Sequence, residues 1–123
     1  MKKRIALLGV LAVSVAGVFV GVGVASTHAT TKPTVITVTA TDFHFAFKPK
    51  VVYKHGHKYT FKMINKGTAA HNFDIQRLKA TKIVGHNKVS SITVTFKKKG
   101  KYPYLCDVPR HAELGMAGTL TVK

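Results

Sequence analysis

From Val35 onward, apolar and polar residues alternate with a period of two, the period of a β-strand whose side chains point to opposite faces. Val35-Ile-Thr-Val-Thr-Ala40 is the first such run, with threonine at alternate positions. Phe43, Phe45 and Phe47 share a face of the next run, and Pro49 ends it. Val51-Val-Tyr53 follows, with His55-Gly-His57 as a turn; Tyr59–Ile64 then alternates as far as a second turn at Asn65-Lys-Gly67. Further strands are expected at His71–Ile75, Ser90–Phe96, Lys101–Leu105 and Gly118–Val122. Gln76–Gly85 is left irregular or briefly helical, and no window supports a long amphipathic helix. Short strands with turn signals about every 8–12 residues predict an all-β chain. The expected architecture is a Greek-key antiparallel β-sandwich of seven to eight strands.

The first part of the chain follows a different pattern. Met1-Lys-Lys-Arg4 is basic, and Ile5 to Ala25 is apolar without a charge. A basic start followed by an apolar run is an export signal, cleaved after Ala25 or Ala29, where small residues stand at the required positions. The run also exceeds the usual apolar core of a signal, about 7–15 residues, and is long enough to serve as a retained membrane anchor. The expected division is therefore 1–29 as signal or anchor, 30–34 as linker and 35–123 as the folded domain. Either fate places the domain outside the cytoplasmic membrane, in a periplasmic or other extracytoplasmic compartment.

Composition narrows the chemistry. The single cysteine, Cys106, excludes an internal disulfide and any four-cysteine zinc or iron–sulfur site built by this chain alone. The 20 lysines and arginines outnumber the four acids to give a net charge of +16, and +13 remains without Lys2, Lys3 and Arg4. Such a charge suits acidic docking surfaces on protein partners, or an anionic membrane surface. Nucleic acid is not expected, because the lysines are dispersed along the strands without interleaved base-stacking aromatics. The chain is expected to act as a monomer.

The candidate chemistry lies near the C-terminus, where Cys106, His111 and Met116 are separated by four residues on each side. Thiolate and thioether favour Cu(I), and imidazole also serves Cu(II), so the mixture suits one copper ion that changes oxidation state. A fourth donor must come from elsewhere. His71 is the best candidate: it follows the small-residue turn Gly67-Thr-Ala-Ala70 and opens a run with Phe73 and Ile75 on one face. His71, Cys106 and His111 would form a trigonal plane with Met116 as a weak axial ligand, the set of a blue-copper electron-transfer site. His55 and His57, His44, His86 and His28 lack the flanking pattern of a second site. Tyr102 and Tyr104 are expected to pack in the core and at its rim.

From Val35 to Lys123 the chain resembles the cupredoxins, the plastocyanin/azurin type of blue copper protein. Phe47-Lys-Pro49, Tyr59-Thr-Phe61, Ile64-Asn65, His71-Asn-Phe73, Tyr104-Leu-Cys106, Gly115-Met116 and Gly118-Thr-Leu-Thr-Val122 fall in the family's order. The two four-residue gaps resemble the ligand loops of rusticyanin and auracyanin more than that of plastocyanin. The resemblance implies a type 1 copper protein that carries single electrons. It also implies that the Asn72 N–H donates to the Cys106 sulfur, while the Asn72 side chain ties the two ligand loops together. The apolar surroundings of His111, with Pro109 and Leu114, are a candidate electron-transfer surface. Copper storage or delivery is the alternative function. An enzyme built on a Cys106–His111 nucleophile pair is not expected, because no residue is placed to orient the histidine and Met116 would have no role.

Overall fold

The computed structural model describes residues 31–123, together with Gly17, Gly21 and Gly23. The expected export or anchor segment and the start of the linker thus fall almost wholly outside the described residues. Eight strands follow in order: β1 (Thr34–Thr41), β2 (His44–Lys48), β3 (Lys58–Asn65), β4 (Asp74–Ile75), β5 (Lys79–Ala80), β6 (Val89–Thr95), β7 (Gly100–Leu105) and β8 (Ala117–Val122). They form two four-stranded sheets, in the orders β2-β1-β3-β6 and β5-β4-β7-β8. No helix among the described residues is long and apolar enough to cross a membrane.

The alternation in the sequence becomes the two faces of each sheet. Ile36, Val38 and Ala40 of β1 and Tyr59, Phe61 and Met63 of β3 are buried, and the residues between them are more exposed. Phe73 lies at the centre of an aromatic cluster, its ring 5.3–5.7 Å from those of Phe45, Phe47, Phe61 and Tyr104. Edge-to-face and tilted contacts at such spacings stabilise beyond the area they bury. Tyr104 is thus a packing residue, as expected, and Tyr102 packs on Phe96 at a ring distance of 4.7 Å.

The structure departs from the periodicity in several places. β1 and β3 pair in parallel, Thr34 opposite Tyr59 and Ala40 opposite Asn65, within an otherwise antiparallel set of ladders. The chain descends through β2 on the outer side of β1 and crosses beneath the sandwich through residues 49–57. It then re-ascends as β3 beside β1, so both strands start from the same end. Val51–Tyr53 belongs to that crossing and forms no strand, apart from an isolated bridge of the buried Tyr53 to Val122. His71–Ile75 shrinks to the two residues of β4, because its first groups bond elsewhere: His71 exchanges both backbone bonds with Val84, and the Phe73 N–H donates to Thr81 Oγ1. Gln76–Gly85 is not helical; it turns through Arg77, at a φ of 62°, into β5.

Candidate metal centre

The ladders bring the proposed donors to one end of the sandwich. Leu105 and Ala117 are paired across β7 and β8, so the intervening loop leaves and re-enters the sheet at one place. The Cys106 N–H donates to the Met116 carbonyl at 3.0 Å, and the Met116 N–H donates to the His111 carbonyl at 3.0 Å. These bonds hold the backbones of Cys106, His111 and Met116 close together. His71 arrives from the β3–β4 connection.

Three donor atoms converge. His71 Nδ1 lies 3.1 Å from His111 Nδ1, and the Cys106 sulfur lies 3.9 Å and 3.6 Å from those two nitrogens. A point equidistant from the three lies about 2.1 Å from each, close to the metal–imidazole length of about 2.0–2.1 Å and slightly inside the metal–thiolate length of about 2.3 Å found at zinc. His71 and Met116 are wholly buried, Cys106 is 1% exposed and His111 is 9% exposed. These are the only three His, Cys, Asp or Glu side chains among the described residues grouped closely enough to hold a metal ion. Burial and the neighbouring His71 ring push the His111 imidazole below its usual pKa range, which favours the neutral, metal-binding form. The donor set fits one copper ion.

Asn72 ties the loops as expected: its side-chain amide donates to the Asp107 carboxylate at 2.6 Å, and its oxygen accepts the Asp107 N–H at 2.7 Å. The other expected bond, from the Asn72 N–H to the Cys106 sulfur, is absent from the hydrogen bonds of the described residues. Pro109 and Leu114 are exposed beside the mostly covered His111, Leu114 at 55%. His44, His55, His57 and His86 are exposed and stand outside the donor group.

Asp42 is the site residue that periodicity misses. It lies in the β1–β2 turn, and its carboxylate accepts from His71 Nε2 at 2.6 Å. The Thr68 N–H and hydroxyl and the Ala69 N–H also donate to it. The Thr68 hydroxyl, then the Thr68 N–H and the His71 ring, hold its pKa well below the usual carboxylate range. A carboxylate on the far nitrogen fixes the ring's orientation and tautomer, leaving Nδ1 free to bind metal. Gly67 leaves room for this contact, since a Cβ there would lie 2.7 Å from His71 Nε2 and collide with the Asp42 carboxylate. Phe43 stands edge-on to both histidine rings, at centroid distances of 6.3 Å and 4.9 Å. A signal for Asp42 was available: where cations outnumber acids five to one, each carboxylate invites a search for its partner.

Two β-sheets closing over a buried mononuclear site of two imidazoles and one thiolate define a small copper protein. The cupredoxin-like domain family matches residues 11–122, and the chain belongs to that family. Solved structures similar to it include auracyanin from Roseiflexus castenholzii, reduced with dithionite, at 23% identity over 73% of this chain and 97% of that one, with a TM-score of 0.62. Auracyanin A, a "blue" copper protein from Chloroflexus aurantiacus, matches at 19% identity over 75% and 100% of the two chains, with a TM-score of 0.61. The multicopper oxidase McoA from Aquifex aeolicus matches at 14% identity over 72% of this chain but only 26% of the oxidase, with a TM-score of 0.60. Among curated proteins, none matches the sequence.

Proposed function

We propose that the protein is a type 1 copper electron carrier working outside the cytoplasmic membrane, with His71, Cys106 and His111 as equatorial ligands and Met116 as the axial one. The observation that carries this reading is the convergence of two imidazole nitrogens and one thiolate in a buried centre. Two surface clefts among the described residues are lined by other side chains. A closed site suits electron transfer, because fixed donors limit the rearrangement between the geometries that Cu(I) and Cu(II) prefer. The likeness to auracyanins, one of them named a "blue" copper protein, supports a carrier. The oxidase likeness covers one domain-sized portion of that enzyme and does not argue for catalysis.

Of the four proposed ligands His111 has the most solvent exposure, and the exposed Pro109 and Leu114 flank it in the chain. This patch serves as the electron port toward redox protein partners. The test is an absorption and EPR spectrum of the Cu(II)-loaded domain, followed by voltammetry. Strong thiolate-to-copper absorption with reversible cycling is expected. A weak, tetragonal Cu(II) spectrum or irreversible reduction would refute the carrier reading and favour copper storage or delivery.

A further inference from the structure

The fold sorts the charges by position. The β1–β2 ladder runs from the Asp42 turn at the copper end to Lys48 at the other, and Lys58 pairs with Thr95 at that same far end. The second sheet arrives there through Gly100 and Val122, joined by backbone bonds from His55 to Lys123 and from Gly56 to Phe96. Residues 48–58 bring four lysines to this far pole, residues 97–101 bring four more, and Lys32 and Lys123 complete the set, every one of them exposed. All four acids lie in the copper-site half: Asp42, Asp107 and Glu113 in its loops, and Asp74 beside Asp107. Lysines that look evenly dispersed along the sequence are therefore concentrated at one pole, where no acidic side chain offsets them.

Two further observations point to what this pole meets. Val52, 59% exposed, lies between Lys50 and Lys54 in the crossing loop and is the most exposed of the large apolar side chains among the described residues. β1 also begins at this pole, with eight residues between it and the end of the uncharged apolar stretch at Ala25. Eight residues reach at most about 29 Å even when fully extended. Of the aromatic residues near the pole, Tyr53, Tyr59 and Phe96 are turned into the core and the half-buried Tyr102 lies against Phe96, so they offer no open platform for stacking bases. An apolar tip ringed by lysines matches the boundary between anionic headgroups and acyl chains.

We propose that the lysine pole docks on an anionic lipid surface, with Val52 entering the headgroup boundary and the copper end held away from the bilayer. Lipid-bound lysines at one pole and an electron port at the other would let the protein serve partners while lying on a membrane. The surface acts through the domain itself, so the orientation holds whether or not the N-terminal segment remains attached.

The test uses the domain from Thr31, which carries both sheets and every buried core residue of the described chain. The probe is vesicles of phosphatidylglycerol and phosphatidylcholine, compared with phosphatidylcholine alone. Binding is expected only to the anionic vesicles and should weaken as salt rises. A Lys97→Gln, Lys98→Gln, Lys99→Gln variant should partition at least about tenfold more weakly. A variant of equal net charge, Lys62→Gln, Lys82→Gln, Lys88→Gln, should lose much less. The chain has no tryptophan, so a Val52→Trp variant gives an unobstructed fluorescence reporter. Its emission should shift to the blue on anionic vesicles, while that of Leu114→Trp at the copper end stays unchanged. Equal losses in the two lysine variants, a blue shift at Leu114→Trp alone, or no vesicle binding together with tight binding to polyglutamate would each overturn the proposal, the last by making the pole a protein-docking site.

Discussion

Replacing Asn65 with alanine tests how the β3–β4 connection holds His71. Asn65 is wholly buried at the end of β3. Its side-chain amide donates to the Ala69 carbonyl at 2.8 Å and to the Val84 carbonyl at 2.9 Å, and its oxygen accepts the Gly67 N–H at 2.9 Å. Alanine removes all three bonds. The His71 N–H still satisfies the Val84 carbonyl, but the Gly67 N–H and the Ala69 carbonyl lose this partner. A net worth of about 1 kcal/mol per bond gives a loss of about 3 kcal/mol, and more where a group stays buried and unpaired. For a domain of this size the melting temperature should fall by about 12–24 °C. The assay is a circular-dichroism melt of the copper-free domain, with release of Cu(I) to a competing chelator measured beside it. Both readouts should respond, because Ala69 is two residues from His71. A fall of less than about 4 °C, equivalent to under 1 kcal/mol, would refute the view that this asparagine organises the loop.

Asp42→Asn keeps an acceptor beside His71 Nε2 and removes a negative charge that favours Cu(II), so the reduction potential should rise; an unchanged potential in voltammetry would refute an electrostatic role for the carboxylate. Because folding holds the Asp42 pKa below its unfolded value, its contribution to stability is present above about pH 4 and lost as acid protonates it, so acid melts of the copper-free domain should be flatter in the Asn variant. Tyr53 is raised to about 12 by burial, with smaller contributions from Tyr104 and Tyr59. Its contribution is therefore intact below about pH 10 and lost as pH climbs from about 10 to about 12, a change of about 3 kcal/mol that Tyr53→Phe should remove from alkaline denaturation curves. Leu114→Asp should slow electron transfer to a partner while leaving the copper absorption unchanged, and equal transfer rates in stopped-flow mixing would sink the port at His111.

Much of this protein is legible in its sequence, because its determinants are local. Alternation in Val35–Ala40, Tyr59–Ile64 and Ser90–Phe96 locates β1, β3 and β6 to within two residues, since one face of each must be buried. Cys106, His111 and Met116 announce themselves through donor chemistry and spacing, and the structure brings Nδ1 of His71 to the first two. What alternation cannot supply is the partner of a particular group. The Phe73 N–H goes to Thr81 Oγ1 and not to a ladder, which shortens the expected strand at His71. The Asp42 carboxylate meets a ring 29 positions away across a gap that only Gly67 keeps open. The crowding of lysines at one pole depends on which strand ends coincide, and that is set by topology and not by any one stretch of residues.

The pairing of Leu105 with Ala117 has a consequence for how such a protein can change. Three of the four proposed donors sit on a chain excursion whose two ends are fastened to each other by the ladder, so residues can be gained or lost within it without shifting the register of either sheet. Lineages could therefore retune the centre by editing this one short segment, while the sandwich, the His71 strap and the lysine pole pass from ancestor to descendant intact.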